Sequence, residues 1–310
     1  MKTLYYEHPD FLLHNTGLGH PESPERVRRI STALAAPEFN DLIRRVPPLG
    51  TQQQVLLIHS TELWQSMHST QPSEGLRYLD SDTALSPGSL QAALRAVGAA
   101  CDAVDQIMAG KADNAFCATR PPGHHAEPKR AMGFCLFNTV AIAAEYARRH
   151  HHLQRIAIID FDVHHGNGTQ AAFSNQPQVL YASSHEMPHY PGTGHPSETG
   201  VGNIVNVPLH AGENGASVRK KYREIILPAV QQFKPEFIFI SAGFDAHKND
   251  PLGEIDLEEA DYQWLTQEIM QLAATHCHHH LISVLEGGYH LKSLASSVAV
   301  HVKTLLGQSV

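Results

Sequence analysis

Arg155-Ile-Ala-Ile-Ile-Asp-Phe-Asp-Val-His-His-Gly-Asn-Gly168 is the stretch on which the reading of this chain turns. Its apolar run, Ile156 to Ile159, has the length and β-branching of a buried strand, and it stops abruptly in carboxylates and imidazoles. Strand side chains alternate faces, so Asp160, Asp162 and His164 project to one side if the extended conformation persists. One carboxylate and one imidazole at such an end suit zinc or a similar divalent ion, with the other carboxylate as an outer partner. A solvated turn is the competing reading, but such turns rarely stack Asp and His pairs against two glycines.

Three further apolar runs end in the same way. Ala115 to Ala118 leads into Arg120-Pro-Pro-Gly-His-His-Ala126, a loop stiffened by paired prolines that presents His124 and His125. Neutral imidazole titrates near neutrality and can shuttle the protons that attack of water on a carbonyl requires. Phe237 to Ala242 runs into Gly243-Phe-Asp-Ala-His247, where Asp245 is the natural third metal ligand, and Leu281 to Leu285 runs into Glu286-Gly-Gly-Tyr289. Tyr289 can donate a phenolic hydrogen bond to a developing oxyanion, with Gly287 and Gly288 letting the loop bend inward. Ligands of open parallel sheets sit beyond the carboxyl ends of the strands, so four such ends imply one shared site.

The alternation of strands and helices has no linker, internal repeat or low-complexity segment, which points to one domain over residues 1–310. Helices are expected at 22–36, 138–150, 215–233 and 256–276, and another from about Leu90, where Leu94, Val97, Cys101, Val104 and Met108 recur at spacings of three and four. Ser86-Pro87 offers this last helix an N-cap and first residue, and Gly110 a stop. Strands are expected near 2–6, 115–118, 155–161, 178–183, 203–207, 236–242 and 281–285. The pattern is that of a three-layer α/β domain with a mainly parallel sheet.

No apolar stretch is long enough to cross a bilayer, and Met1-Lys-Thr-Leu-Tyr-Tyr-Glu7 lacks the core of a signal peptide. Cys101, Cys117, Cys135 and Cys277 show no CxxC spacing, which favours free thiols in a reducing compartment and a cytoplasmic location. The net charge of −8 argues against a direct nucleic-acid partner and is compatible with cationic substrates. It sets no oligomeric state. His150-His-His152 and His276-Cys-His-His-His280 lie where helices end before strands, and imidazolium is favoured at a helix C-terminus, so both tracts are read as structural. His8, His14, His59 and His68 are read in the same way.

Arg120-Pro-Pro-Gly-His-His-Ala126, Gly133-Phe-Cys135, Asp160-Phe-Asp-Val-His-His-Gly-Asn-Gly168, Ala242-Gly-Phe-Asp-Ala-His247 and Glu286-Gly-Gly-Tyr289 stand in the order seen in zinc-dependent histone deacetylases. His20-Pro-Glu-Ser-Pro-Glu-Arg26 is also similar, and the resemblance spans nearly the whole chain. The wording looks like the class II branch and its bacterial relatives, the histone deacetylase-like and acetylpolyamine amidohydrolases. Asn167 follows His-His-Gly where class I members carry Asp, and Glu286 precedes Gly-Gly-Tyr.

The resemblance implies the arginase/deacetylase fold, with eight strands at its centre, and hydrolysis of an N-acetyl amide at a Zn2+ held by Asp162, His164 and Asp245. It implies that His125 is the base that takes the water's proton and protonates the leaving amine. His124 would be an electrostatic partner oriented by Asp160, Asn167 would orient His125, and Tyr289 would stabilise the oxyanion. An amide cannot stabilise imidazolium as a carboxylate does, so the pKa of His125 is expected to be low. Gly133, Phe134, Tyr190, Leu252 and Gly287 would form the substrate channel. A structural K+ is implied as well, on Asp160, the carbonyls of Asp162, His164 and Ser184, and the Ser183 hydroxyl, with a second K+ around Phe173 and Val179.

His290 and Thr139 depart from the residues that relatives usually carry after the tyrosine and after Asn138, which bears on substrate detail. A two-metal ureohydrolase of the same fold needs acids where this chain has Gly166 and His247. Acyl-lysine-binding members of weak activity replace the tyrosine, whereas Tyr289 is intact. Acetylated lysines of proteins or peptides, acetylpolyamines and other small acylated amines all suit the chemistry. Acetylpolyamine specialists place an acid in the segment corresponding to Asp250-Pro-Leu-Gly-Glu254. The matching position is Leu252, as in protein-lysine deacetylases, and Glu254 follows two residues on. Acetyl-lysine peptides are therefore expected to be the better substrates.

Overall fold

A computed structural model describes residues 1–308. Among these described residues there are ten strands: β1 (Thr3–Tyr6), β2 (Ile43–Arg45), β3 (Arg77–Tyr78), β4 (Ala84–Leu85), β5 (Asn114–Cys117), β6 (Ile156–Asp160), β7 (Val179–Glu186), β8 (Ile204–Leu209), β9 (Phe237–Ala242) and β10 (Leu281–Leu285). Eight of them form one sheet in the order β2-β1-β5-β10-β9-β6-β7-β8, and every neighbouring pair is parallel. β3 and β4 pair as a small antiparallel ribbon.

The pleat sorts each strand between two cores. Ala157 and Ile159 of β6 join Ile238 and Ile240 of β9 on one face, whereas Ile156 and Ile158 join Phe237 and Phe239 on the other. Helices α1 (Glu25–Ala33), α9 (Glu259–His276) and α10 (Leu291–Leu305) close the first core, and α4 (Ser89–Met108) and α5 (Thr139–His150) the second. Strands covered on both faces read as continuous apolar runs, which is why Ile156 to Ile159 and Phe237 to Ile240 show no polar alternation. The result is the expected three-layer α/β architecture of the arginase/deacetylase type with a central eight-stranded sheet.

Four strands carry the motifs at their ends, and they are consecutive in this sheet: β5, β10, β9 and β6. Because the sheet is parallel, their carboxyl ends share one edge near its middle, and the loops 119–126, 286–289, 243–247 and 161–168 meet there.

Several boundaries differ from expectation. The helix foreseen from Ser86-Pro87 begins at Ser89 with Gly88 before it. Ser86 is held elsewhere, its hydroxyl 3.0 Å from that of Ser89 and donating to the Leu13 carbonyl at 3.2 Å. Gly110 does stop this helix, at φ 68. The segment 215–233 is helical but contains a wider π turn over Tyr222–Ile226 between α7 (Gly215–Lys221) and α8 (Leu227–Phe233). Edge strand β2, the β3-β4 ribbon, the long C-terminal helix α10 and the short helices α2 (Gln52–Val55), α3 (Thr61–Thr70) and α6 (Asn167–Phe173) were not anticipated. Both histidine tracts do sit at helix ends: His150 closes α5 and His276 closes α9, with His152, His278 and His279 in the left-handed region that follows.

Candidate active site

Asp160 is the last residue of β6, and the pleat does not persist beyond it. Asp160 Oδ1 accepts the main-chain N–H of Asp162 at 3.2 Å, and Asp162 Oδ1 accepts that of His164 at 2.9 Å. Two successive carboxylate-capped turns, rather than strand alternation, therefore shape the segment. They deliver Asp162 and His164 to Asp245, with one ligand atom of each residue within 4.8 Å of the others. His164 Nδ1 lies 3.0 Å from Asp162 Oδ1 and 3.2 Å from Asp245 Oδ2.

The remaining carboxylate oxygens are fixed by main-chain donors. Gly287 N–H reaches Asp162 Oδ2 at 2.8 Å, and Val163 N–H reaches Asp245 Oδ1 at 2.9 Å. Asp245 Oδ2 is buried without a hydrogen-bond partner, as an oxygen reserved for a cation should be. Burial and the charge of Asp162 push the Asp245 carboxyl up to about 7. His164 is driven up to about 10: burial opposes its charge, but its hydrogen bond to Asp162 and the negative charges of Asp245 and Asp162 prevail. Two buried carboxylates around one imidazole form a set that a divalent cation completes, and the Asp₂His donors suit zinc. Gly287 is obligatory here, since a Cβ would fall 2.0 Å from Asp245 Oδ2 and 2.5 Å from Asp162 Oδ2.

The paired histidines lie beside this triad. His124 Nδ1 is 3.0 Å from Asp160 Oδ2, the oxygen that also accepts the Tyr181 hydroxyl at 2.9 Å. Burial opposes protonation of His124, but the charges of Asp162 and Asp160 raise it to about 10. His125 Nδ1 is 2.9 Å from Asn167 Oδ1. Asn167 in turn donates its amide to Glu127 Oε1 at 2.9 Å, which aims its oxygen at His125. That fixes the proton of His125 on Nδ1 and leaves Nε2 as the acceptor. Burial, then the positive charges of His124 and His164, hold the His125 pKa well below its ordinary value.

His125 and His164 open into a cavity of about 300 Å³ lined also by Gly133, Phe134, Tyr190, Leu252 and Tyr289. Phe134 adopts φ 66, an unusual conformation for a side chain of this size. Its N–H donates to Thr83 Oγ1 at 3.0 Å, and its ring meets those of His20 and Tyr289 edge-on at 4.7 and 5.9 Å. Tyr190 stands edge-on to His125, with ring centroids 5.1 Å apart. The Tyr289 loop is held by Asp250, whose Oδ2 accepts the N–H groups of Tyr289 at 2.6 Å and His290 at 3.0 Å. Burial raises the Tyr289 phenol well above its ordinary pKa, which keeps it a hydrogen-bond donor. Among the expected channel residues Gly287 lies apart: it backs the metal ligands and does not line the cavity.

The histone deacetylase domain model matches residues 20–305. The chain belongs to the histone deacetylase family. Histone deacetylase 14, chloroplastic, of Arabidopsis thaliana is 40% identical over 311 residues, covering 93% of this chain and 73% of the relative. The histone deacetylase-like amidohydrolase of Pseudomonas aeruginosa is 36% identical over 277 residues, covering 87% of this chain and 73% of that protein. The crystal structure of the HDA15 HD domain superposes with a TM-score of 0.94 at 36% identity, covering 99% of this chain and 89% of the other. With the Asp162, His164, Asp245 triad in place, this histone deacetylase family member is a zinc-dependent hydrolase acting on acylated amines.

Several residues that shape this deacetylase site were given no role in it by the sequence. Glu286 Oε2 accepts the N–H groups of Gly123 at 2.6 Å and His124 at 3.1 Å, tying β10 to the histidine loop. His59 bridges the same loop, its Nε2 accepting from Asn138 N–H at 2.8 Å while its Nδ1 lies 3.0 Å from the Glu127 carbonyl. Arg26 is fully buried, donates to the Gly288 carbonyl at 2.7 Å and lies over the Tyr289 ring at 4.9 Å. The resemblance of His20-Pro-Glu-Ser-Pro-Glu-Arg26 to the family was the one pointer to it.

Of the groups expected around potassium, Asp160 and Ser183 face each other in register across β6 and β7. Ser183 Oγ is 2.9 Å from His185 Nδ1, and Ser184 Oγ is 2.9 Å from the Tyr222 hydroxyl. The Phe173 and Val179 carbonyls, expected around a second potassium, each accept a hydrogen bond from the Asn203 side chain.

Proposed function

We propose that this protein removes acetyl groups from lysine side chains of proteins or peptides, with residues 1–310 acting as one catalytic domain. The observation that carries this reading is the cavity: neutral His125, the His164 end of the metal triad and the Tyr289 phenol open into one space walled by Phe134 and Tyr190. Such walls suit an aliphatic stem. Zinc held by Asp162, His164 and Asp245 supplies Lewis acidity to the acyl oxygen and to water.

His125 Nε2 takes the proton of the attacking water, with Asn167 holding the ring through Nδ1. The same nitrogen then hands the proton to the departing amine. His124, ion-paired with Asp160, stays charged and stabilises negative charge gathering at the carbonyl. Tyr289 donates its hydroxyl hydrogen to the oxyanion. Phe134, Gly133, Tyr190 and Leu252 guide the stem. Asp160 and Ser183, with the carbonyls of Asp162, His164 and Ser184, would hold a potassium ion beneath the site. This is supported by the buried Ser241 hydroxyl, in register with Asp160 and without a hydrogen-bond partner. Four unpaired, buried cysteines agree with a reducing, cytoplasmic setting, and no helix among the described residues is long and apolar enough to cross a membrane.

A second reading, deacetylation of acetylpolyamines, is favoured by Asp82 and Glu254, which line the same cavity beside Leu252. An exposed acid contributes about 1 kcal/mol of attraction to a distal ammonium, roughly fivefold in selectivity, too little to define a specialist. Catalytic efficiency on an acetyl-lysine peptide and on N-acetylputrescine, measured on one preparation, tests the choice. The peptide is expected to be preferred. A clear preference for the polyamine would replace the first reading with the second.

A further inference from the structure

The chain between α6 and β7 makes two consecutive tight turns, in which Gln176 N–H bonds the Phe173 carbonyl at 2.9 Å and Val179 N–H bonds the Gln176 carbonyl at 3.0 Å. This three-residue repeat aims the carbonyls of Phe173, Gln176 and Val179 at a common point. Three converging carbonyl dipoles make a strongly negative hollow of the kind that holds an alkali cation. Here the hollow is filled from within. Asn203 Nδ2 lies 2.8 Å from the Phe173 oxygen, 3.0 Å from that of Gln176 and 2.8 Å from that of Val179.

The orientation of that amide is over-determined. Asn203 Oδ1 accepts the Val201 N–H at 3.1 Å, and its main-chain carbonyl accepts Tyr181 N–H at 3.0 Å. Reversing the amide would set Oδ1 against three carbonyl oxygens and Nδ2 against an N–H, losing every side-chain bond the residue makes. Asn203 is 4% exposed, so no water competes for these acceptors. A cation at the common point would need the space that Nδ2 occupies.

We infer that the Asn203 side-chain amide permanently replaces the second alkali cation expected around Phe173 and Val179. The turn from Phe173 to Val179 is then joined to β8 by a neutral, covalently supplied donor, and its folding is independent of potassium. Asn203→Asp should reverse this. It keeps the size, turns the donor into an anionic acceptor among three carbonyls, and so creates a hollow that demands a cation.

Thallous ions mimic potassium and scatter anomalously, so crystals soaked in a thallous salt decide the matter. The wild-type protein should show no anomalous peak between the Phe173, Gln176 and Val179 carbonyls, and the Asn203→Asp protein should show one. In solution, replacing sodium by potassium chloride should raise the melting midpoint of the variant by several degrees more than that of the wild type, as expected of a site that binds only the folded state. A peak at that position in the wild-type crystal would overturn the inference. So would a folded Asn203→Asp protein with neither the peak nor the added potassium dependence. If this variant fails to fold in either salt, Asn203→Ala, which vacates the hollow without adding charge, takes its place with the same two outcomes. The wild-type soak stands on its own.

Discussion

His125 and His279 carry the same side chain but sit in opposite surroundings: His125 is 4% exposed and aligned by Asn167, whereas His279 lies in the turn after α9. His125→Ala is expected to lower kcat by about two to four orders of magnitude, the usual worth of a general acid–base group. His279→Ala should leave it nearly unchanged, and comparable losses in both variants would show that the histidines after α9 take part in turnover. Asn167 offers a finer test. A carboxylate at that position stabilises imidazolium, so Asn167→Asp should raise the pKa of His125. The base is then protonated at a higher pH, and the acid limb of the kcat/KM profile moves upward. An unmoved limb would mean that His125 is not the titrating base. At this scale the sequence was readily legible for side chains confined to short motifs, such as Asp162, His164 and Asp245. It did not show what Glu127, His59 and Asp250 hold in place, because their partners lie between 39 and 79 residues away and become neighbours only on folding.

At the scale of elements, the site depends on strand ends that approach one another within atomic contact. Gly287 on the β10 loop passes so close to Asp162 and Asp245 that Gly287→Ala must displace a ligand. Zinc affinity should fall by about 10–100-fold, the loss typical when the groups supporting metal ligands are disturbed. Competition with a chromophoric chelator measures this without reference to turnover, and an unchanged affinity would contradict the geometry. The buried strands were legible because both their faces are covered, so apolar runs bounded by motifs marked them without ambiguity. β2 escaped notice because Ile43–Arg45 is short, polar and at the sheet edge. Ser86 resembled a helix cap and is not one, since its hydroxyl is engaged by Leu13 and Ser89. A local signal gave way there to a partner 73 residues away.

Across the whole molecule, buried neutral histidines set the response to acid. Burial pushes His14, His59 and His185 down to about 4 and His165 and His301 down to about 3, from an ordinary value of 6.5. Between about pH 4 and 6.5 the unfolded chain binds protons that the folded chain refuses. The stability these five histidines contribute therefore rises with pH through that window, is complete above it, and is lost as pH falls. The urea midpoint should fall steeply below pH 6.5, and it should also decline as pH rises from 7 toward 10, where His124, raised to about 10, gives up the proton that its ion pair with Asp160 holds in the folded state. His301 lies in the core between Thr266 and Ser283, so His301→Gln should remove one proton from that slope, about 1.4 kcal/mol per pH unit. The Asp162, His164, Asp245 triad at the shared edge of β6 and β9 works only with its metal. This dependence is tested most directly by titrating zinc into exhaustively chelated protein, verified metal-free by elemental analysis, while following hydrolysis of an acetyl-lysine peptide. Turnover should be absent at the start and rise linearly until it saturates at one zinc per chain. Full turnover by the verified metal-free protein would contradict it.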